Sequence, residues 1–254
     1  MNALQSHWDA RAAANFILGG AGAGLMIAAV LPGAQSPYPT ALSLALVAAG
    51  LGAVWLEIGR KLRALNVLFN PFSSWMSRES YAALALFALG AAAMAWPRAQ
   101  WGIGAACIAL VFVWCQARLV RAAKGIPAWR APEVVPLIVT TGLAEGAGLY
   151  LFFSATPASM TLFSLAVLAR LLAWSRYRAA VRSPELEPAG KALVQIGTVA
   201  ALALALAGAL HPALAMLAGA AAVATGWRIK YVLVTRAAYN QGFALPCLPV
   251  RGTR

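Results

Sequence analysis

Two glutamates bracket the most polar junction of an otherwise apolar chain. Glu57 closes one apolar run and Glu79 opens the next, and the stretch around them, Trp55 to Tyr81, reads WLEIGRKLRALNVLFNPFSSWMSRESY. A carboxyl group at a membrane boundary, partly withdrawn from water, is suited to hand protons to a lipid-soluble acceptor, because a quinone that takes two electrons also takes two protons. If the flanking runs form an antiparallel hairpin, both acids come to one depth at one mouth of the bundle. Arg60 and Trp75 belong to the same junction, as a cation and a flat wall for a quinone ring. A plainer account uses the same residues: Glu57 pairs with Lys61 at i,i+4, and Glu79 sits in a first helical turn, where the helix dipole favours an acid.

Two further features carry weight. Glu145 stands near the middle of an apolar run, TTGLAEGAGLYLF. An ionisable group there costs about 2.5–3.5 kcal/mol, so it must face the bundle interior and find a partner or a water path. It reads as part of a proton path or as a neutral, hydrogen-bonded structural residue. In NFILGGAGAGL, Asn15 precedes Gly19, Gly20, Gly22 and Gly24. Small residues let another backbone or a flat ring come close, which makes Asn15 a candidate pocket wall, although helix packing is the commoner use of such a run. Cys107, Cys115 and Cys247 show no C-x-x-C spacing, and His7 and His211 do not face each other within spans. Neither a metal centre nor a haem is expected from this chain alone.

The elements that must position these residues are membrane helices. Of 254 residues, 62% are hydrophobic and 11% charged, and the mean hydropathy is +0.74. This composition excludes an ordinary soluble domain and implies an all-α, polytopic membrane protein. With about 20 apolar residues needed per crossing, the pattern predicts eight spans, at about 11–31, 40–60, 78–96, 101–121, 133–154, 157–174, 190–210 and 212–234. Proline-rich breaks separate them, among them Asn70-Pro71, Trp96-Pro97, Pro127 through Pro132 and His211-Pro212. Arg170 falls in the last turns of the sixth span, from which its long side chain can reach the interface. Trp8, Trp55, Trp75, Trp96, Trp101, Trp129, Trp174 and Trp227 all fall near predicted span ends, as an interfacial aromatic belt requires. The first 20 residues carry an acid ahead of the apolar run and read as a retained first helix rather than a signal peptide.

The net charge of +13 is topological in this reading. In an eight-span arrangement 19 of the 20 lysines and arginines fall on the side of the termini, and Arg98 alone falls on the other. The positive-inside rule then places both termini, including a tail over 235–254, in the cytoplasm, together with the Trp55–Tyr81 junction. Basic residues interleaved with apolar spans form no separate soluble patch, so no nucleic-acid partner is expected.

The junction LRALNVLFNPFSSWMSRE, from Leu62 to Glu79, resembles the loop between the second and third helices in the membrane anchor subunits of molybdenum oxidoreductases, of the dimethyl sulfoxide reductase anchor type within the NrfD-like group. The N-terminal LGGAGAGL and the tail YNQGFALPCLPVRG from Tyr239 are similar to that family too, and the resemblance spans the whole chain. It implies an eight-helix anchor in a bacterial inner membrane that binds ubiquinone or menaquinone. It also implies an iron-sulfur subunit at the quinone face and a molybdenum catalytic subunit beyond it. Glu79 matches a glutamate implicated in quinol chemistry, whereas Glu57 stands where the dimethyl sulfoxide reductase anchors have a histidine. The charge count puts those partners on the cytoplasmic side. That resembles the branch including sulfite dehydrogenase and phenylacetyl-CoA:acceptor oxidoreductase, in which electrons pass to quinone.

Overall fold

In lipid every backbone polar group must be satisfied within the chain, which for a sequence of this hydropathy means helices. The structure, a computed structural model, describes residues 4–5, 8–30, 36–58 and 61–240. Its long helices are α1 (Ala10–Ala28), α2 (Tyr38–Glu57), α3 (Trp75–Ala95), α4 (Ala99–Ala122), α5 (Val134–Tyr150), α6 (Pro157–Ala180), α7 (Pro184–Ala207) and α8 (Pro212–Thr235). Six of them, α1, α2, α4, α6, α7 and α8, are long and apolar enough to cross a membrane, and α5 is a shorter apolar helix of 17 residues. No strand occurs among the described residues; Leu4 and Tyr239 form one isolated antiparallel bridge. The chain is therefore an all-helical, multi-pass membrane protein.

The helix starts follow from local chemistry. The Ser74 hydroxyl accepts from the Ser77 N–H, Thr156 caps α6 through the Ser159 N–H, and the His211 ring nitrogen Nδ1 accepts from the Ala213 N–H. Pro157 and Pro212 occupy first-turn positions, where a missing N–H costs nothing.

Helix α1 is the axis of the bundle, packing on α2, α4 and α5. Its glycines make this possible. A Cβ on Gly24 would lie 2.0 Å from the Gly142 carbonyl oxygen of α5, so the two backbones are in direct contact. On its other side α5 meets α8 in the same way, with Gly148 against Gly219. Helix α5 is thus clasped between two backbones, and Glu145 lies within that clasp.

Several expectations are corrected here. Helix α6 continues to Ala180, six residues past the predicted end, so Arg170 is an interior residue. It is fully buried and donates to the carbonyls of Ala222 and Gly197 rather than reaching an interface. Lys230, assigned above to the cytoplasmic charge tally, is buried in the bundle. Trp129 and Trp174 are core residues, not belt residues: Trp129 stacks on Trp8 and donates its indole N–H to the Leu233 carbonyl.

Candidate functional site

Near the start of α3, the Glu79 side chain turns inward because it lies on the face shared with Ala82, Ala83 and Leu86, which packs into the bundle. It meets two amides from other helices. Asn15 Nδ2 donates to Glu79 Oε1 at 2.9 Å and Gln116 Nε2 donates to the same oxygen at 3.2 Å. Gln116 Nε2 also donates to the Asn15 backbone carbonyl at 3.0 Å, which ties α1 and α4 to the carboxyl. All three side chains are buried, at 4% exposure for Glu79, 6% for Asn15 and 0% for Gln116. The amide oxygens Asn15 Oδ1 and Gln116 Oε1 have no hydrogen-bond partner. Buried acceptors left unpaired are expensive. The cluster therefore offers two acceptors to an incoming donor.

Asn15 also begins a π-helical turn, Asn15–Gly19, set within α1. Such turns are uncommon and concentrate at functional sites. A second one, Gln195–Ala200, interrupts α7 where the Gly197 carbonyl accepts from Arg170. Both π turns thus fall where a buried polar side chain needs a backbone group.

In the clasp between α1 and α8, Glu145 has found its partner. Lys230 Nζ donates to Glu145 Oε2 at 2.6 Å, with the side chains 2% and 0% exposed. The other carboxyl oxygen, Oε1, faces Gly226 and has no hydrogen-bond partner. Arg170 is near enough to act on both partners electrostatically. Gly20 separates this ion pair from the Glu79 cluster. A Cβ placed on Gly20 would lie 2.5 Å from Lys230 Nζ and 3.7 Å from Gln116 Oε1. The two polar groups are parted only by the space a side chain would fill. A run of buried polar groups therefore crosses the bundle from Glu79 through Asn15 and Gln116 to Lys230, Glu145 and Arg170.

Glu57 is placed elsewhere. At the end of α2 it lies beside Asp9 and Arg11, and Arg11 donates to the neighbouring Leu56 carbonyl at 3.4 Å. Glu79 instead is held by Asn15 and Gln116. Asp9 lies outside the spans and its carboxyl sits below its ordinary value, chiefly because it accepts the Arg11 backbone N–H at the start of α1. Arg60 lies outside the described residues.

Trp75 is one turn before Glu79 and is covered on its ring by two guanidinium groups, Arg78 at 4.3 Å and Arg118 at 4.6 Å. It also lines a cavity of about 800 Å³ together with Arg118, Arg121, Lys124 and Arg130. Trp75 thus lines this basic cavity from the first turn of α3, the helix that carries Glu79 one turn further on.

Gln116, Lys230 and Arg170 are the site residues that sequence reasoning missed. The demand of Glu145 for a partner or a water path was a signal of a buried polar contact, but nothing in the local sequence separates Lys230 from its exposed neighbour Arg228. Among the described residues no three of His, Cys, Asp or Glu come together so as to hold a metal ion. No known family has a model that matches this chain, and no curated protein matches it.

Proposed function

We propose that the chain is an eight-span membrane anchor in a bacterial inner membrane, with both termini cytoplasmic, and that it receives electrons for quinone from an iron-sulfur partner belonging to a molybdenum oxidoreductase. The observation that carries the reading is the buried Glu79–Asn15–Gln116 cluster. It combines one carboxyl, two amides and two unpaired acceptor oxygens at the end of a span.

These residues fit a quinone headgroup by their donor and acceptor set. Asn15 and Gln116 would orient it, and their free oxygens suit the hydroxyl protons of its reduced form. When bound, quinone would supply the two-electron, two-proton acceptor chemistry, and Glu79 would deliver a proton to it. Trp75 walls the approach from the basic cavity, and Arg60 and Glu57 are assigned to the surrounding face. The electron-delivering subunits would dock on the same side.

The direct test is Glu79→Gln in the assembled complex. Quinone-dependent turnover should fall about 100-fold or more, the usual worth of a positioned proton donor, while reduction of an artificial acceptor by the catalytic subunit persists. Unchanged quinone turnover would refute the assignment. A second reading, a proton-coupled transporter, is favoured by the Glu145–Lys230 pair inside the bundle. Purification in mild detergent separates the two, since a transporter comes alone or with copies of itself and an anchor comes with iron-sulfur and molybdenum subunits.

A further inference from the structure

The basic cavity beside Trp75 has a composition that the quinone reading does not use. Arg118 and Arg121 come from the last turns of α4, Lys124 from just beyond it, and Arg130 from the short helical turn Pro127–Arg130. Ser73, whose hydroxyl donates to Asn70 Oδ1, and Trp75 complete the wall from the α3 side. Arg118, Arg121 and Lys124 thus bring three cations to one concavity that Arg130 also lines, and no acidic side chain lines it among the described residues. Two further cavities at helix ends differ in this respect. One includes Glu185, and the other includes Glu187, which pairs with Arg178 at 3.5 Å. Like charges gathered in a hollow repel one another, and the hollow becomes favourable when an anion enters it.

The placement selects the anion. The cavity sits at the ends of membrane helices, and its volume suits a small-molecule headgroup rather than a flat protein face. The Arg118 guanidinium lies over the Trp75 ring, a geometry that leaves its N–H edge available for a planar or tetrahedral oxyanion. Basic pockets between helices on the positive side of a membrane are suited to phospholipid headgroups. We infer that the cavity lined by Trp75, Arg118, Arg121, Lys124 and Arg130 is a binding site for the phosphate headgroup of an anionic phospholipid. This inference rests on the membrane-spanning fold and on the orientation proposed above, and it does not need the quinone assignment of Glu79.

The test uses the full chain, with whatever subunits accompany it, stripped of lipid in detergent. It is titrated with phosphatidylglycerol, with phosphatidylcholine and with inorganic phosphate, following thermal stability and lipid retained by native mass spectrometry. Phosphatidylglycerol should bind and raise the melting temperature, and phosphatidylcholine should not. Removing each charge in Arg118→Gln and Arg121→Gln should weaken phosphatidylglycerol binding roughly fivefold, with Arg121→Lys largely retaining it and Arg178→Gln, at a different cavity, leaving it unchanged. Equal phosphatidylglycerol binding by wild type and the Arg118→Gln/Arg121→Gln double variant, whose fold is checked by its lipid-free melting temperature, overturns the site. Protection by millimolar inorganic phosphate without discrimination between the lipids assigns the cavity to a soluble anion and overturns the lipid. Loss of an acid-rich subunit with lipid retention unchanged would make it a protein dock and equally overturn the assignment.

Discussion

Replacing Lys230 by methionine isolates the energetics of the bundle centre. The variant keeps the length and apolar stem of the side chain but removes the ammonium that donates to Glu145 Oε2 at 2.6 Å. Glu145 is wholly buried and its Oε1 is already without a hydrogen-bond partner, so the carboxyl would be left with no partner on either oxygen. Breaking a buried pair from one side costs about 3–5 kcal/mol, because the remaining group stays buried and uncompensated. For a chain of this size that corresponds to a fall in melting temperature of roughly 6–20 °C. Replacing both partners by apolar residues of similar shape, Glu145→Leu with Lys230→Met, removes the uncompensated group as well, and such exchanges are often neutral or stabilising. The assay is thermal unfolding of the purified chain in one detergent, for wild type, both single variants and the double variant. A double variant more stable than either single variant is the expected result. If the two losses simply add, or if Lys230→Met melts with wild type, the pair is not coupled and the placement of Lys230 against Glu145 is wrong.

Other expectations follow from contacts at named positions. Gly24→Ala drives a methyl against the Gly142 carbonyl at 2.0 Å, so it should cost at least the 1–3 kcal/mol of a typical overpacking; Gly52→Ala, with nothing within 4 Å, should be neutral or slightly stabilising in the same melting assay. Ser43→Ala removes a 2.7 Å hydrogen bond to the Gly22 carbonyl and should lower stability by about 1 kcal/mol, measured as a shift in melting temperature. Asp9 is below its ordinary value of 3.8 in the fold, so its contribution is complete above that value and fades as pH falls through the lowered one; Asp9→Asn should flatten that acid limb of an unfolding titration, and an unchanged limb would exclude the cap as its source.

Apolar run lengths and proline breaks were enough to locate the helices, and the burden carried by Glu145 announced a hidden partner. Asn15 and Glu79 were also visible, as polar residues at the edges of apolar runs. Gln116 was not, because an uncharged amide in VWCQARL disturbs hydropathy too little to stand out. Arg170 and Lys230 were misplaced for a different reason. Each lies in the more basic half of a span by count, where a long cation ordinarily escapes to water, and only the packing of α6, α7 and α8 closes that route. Trp129 and Trp174 share the problem, since an indole at a span end is equally suited to a lipid interface and to a protein core.

The π turn at Asn15–Gly19 has a consequence for how the chain tolerates change in length. A π turn is an α-helix that has accepted one extra residue, and it lets the two ends of α1 keep separate rotational phases. Upstream, the phase aims Asn15 at Glu79; downstream, it aims Gly24 at Gly142. Deleting one residue between 16 and 19 would remove the extra one and restore regular winding without turning either end, whereas the same deletion in a regularly wound helix turns one end relative to the other by about 100°. The carboxyl cluster and the backbone clasp could then both be kept. A single-residue deletion here should therefore be far less damaging than one between Gly142 and Gly148 of the regularly wound α5, although the sequence lost is equally small.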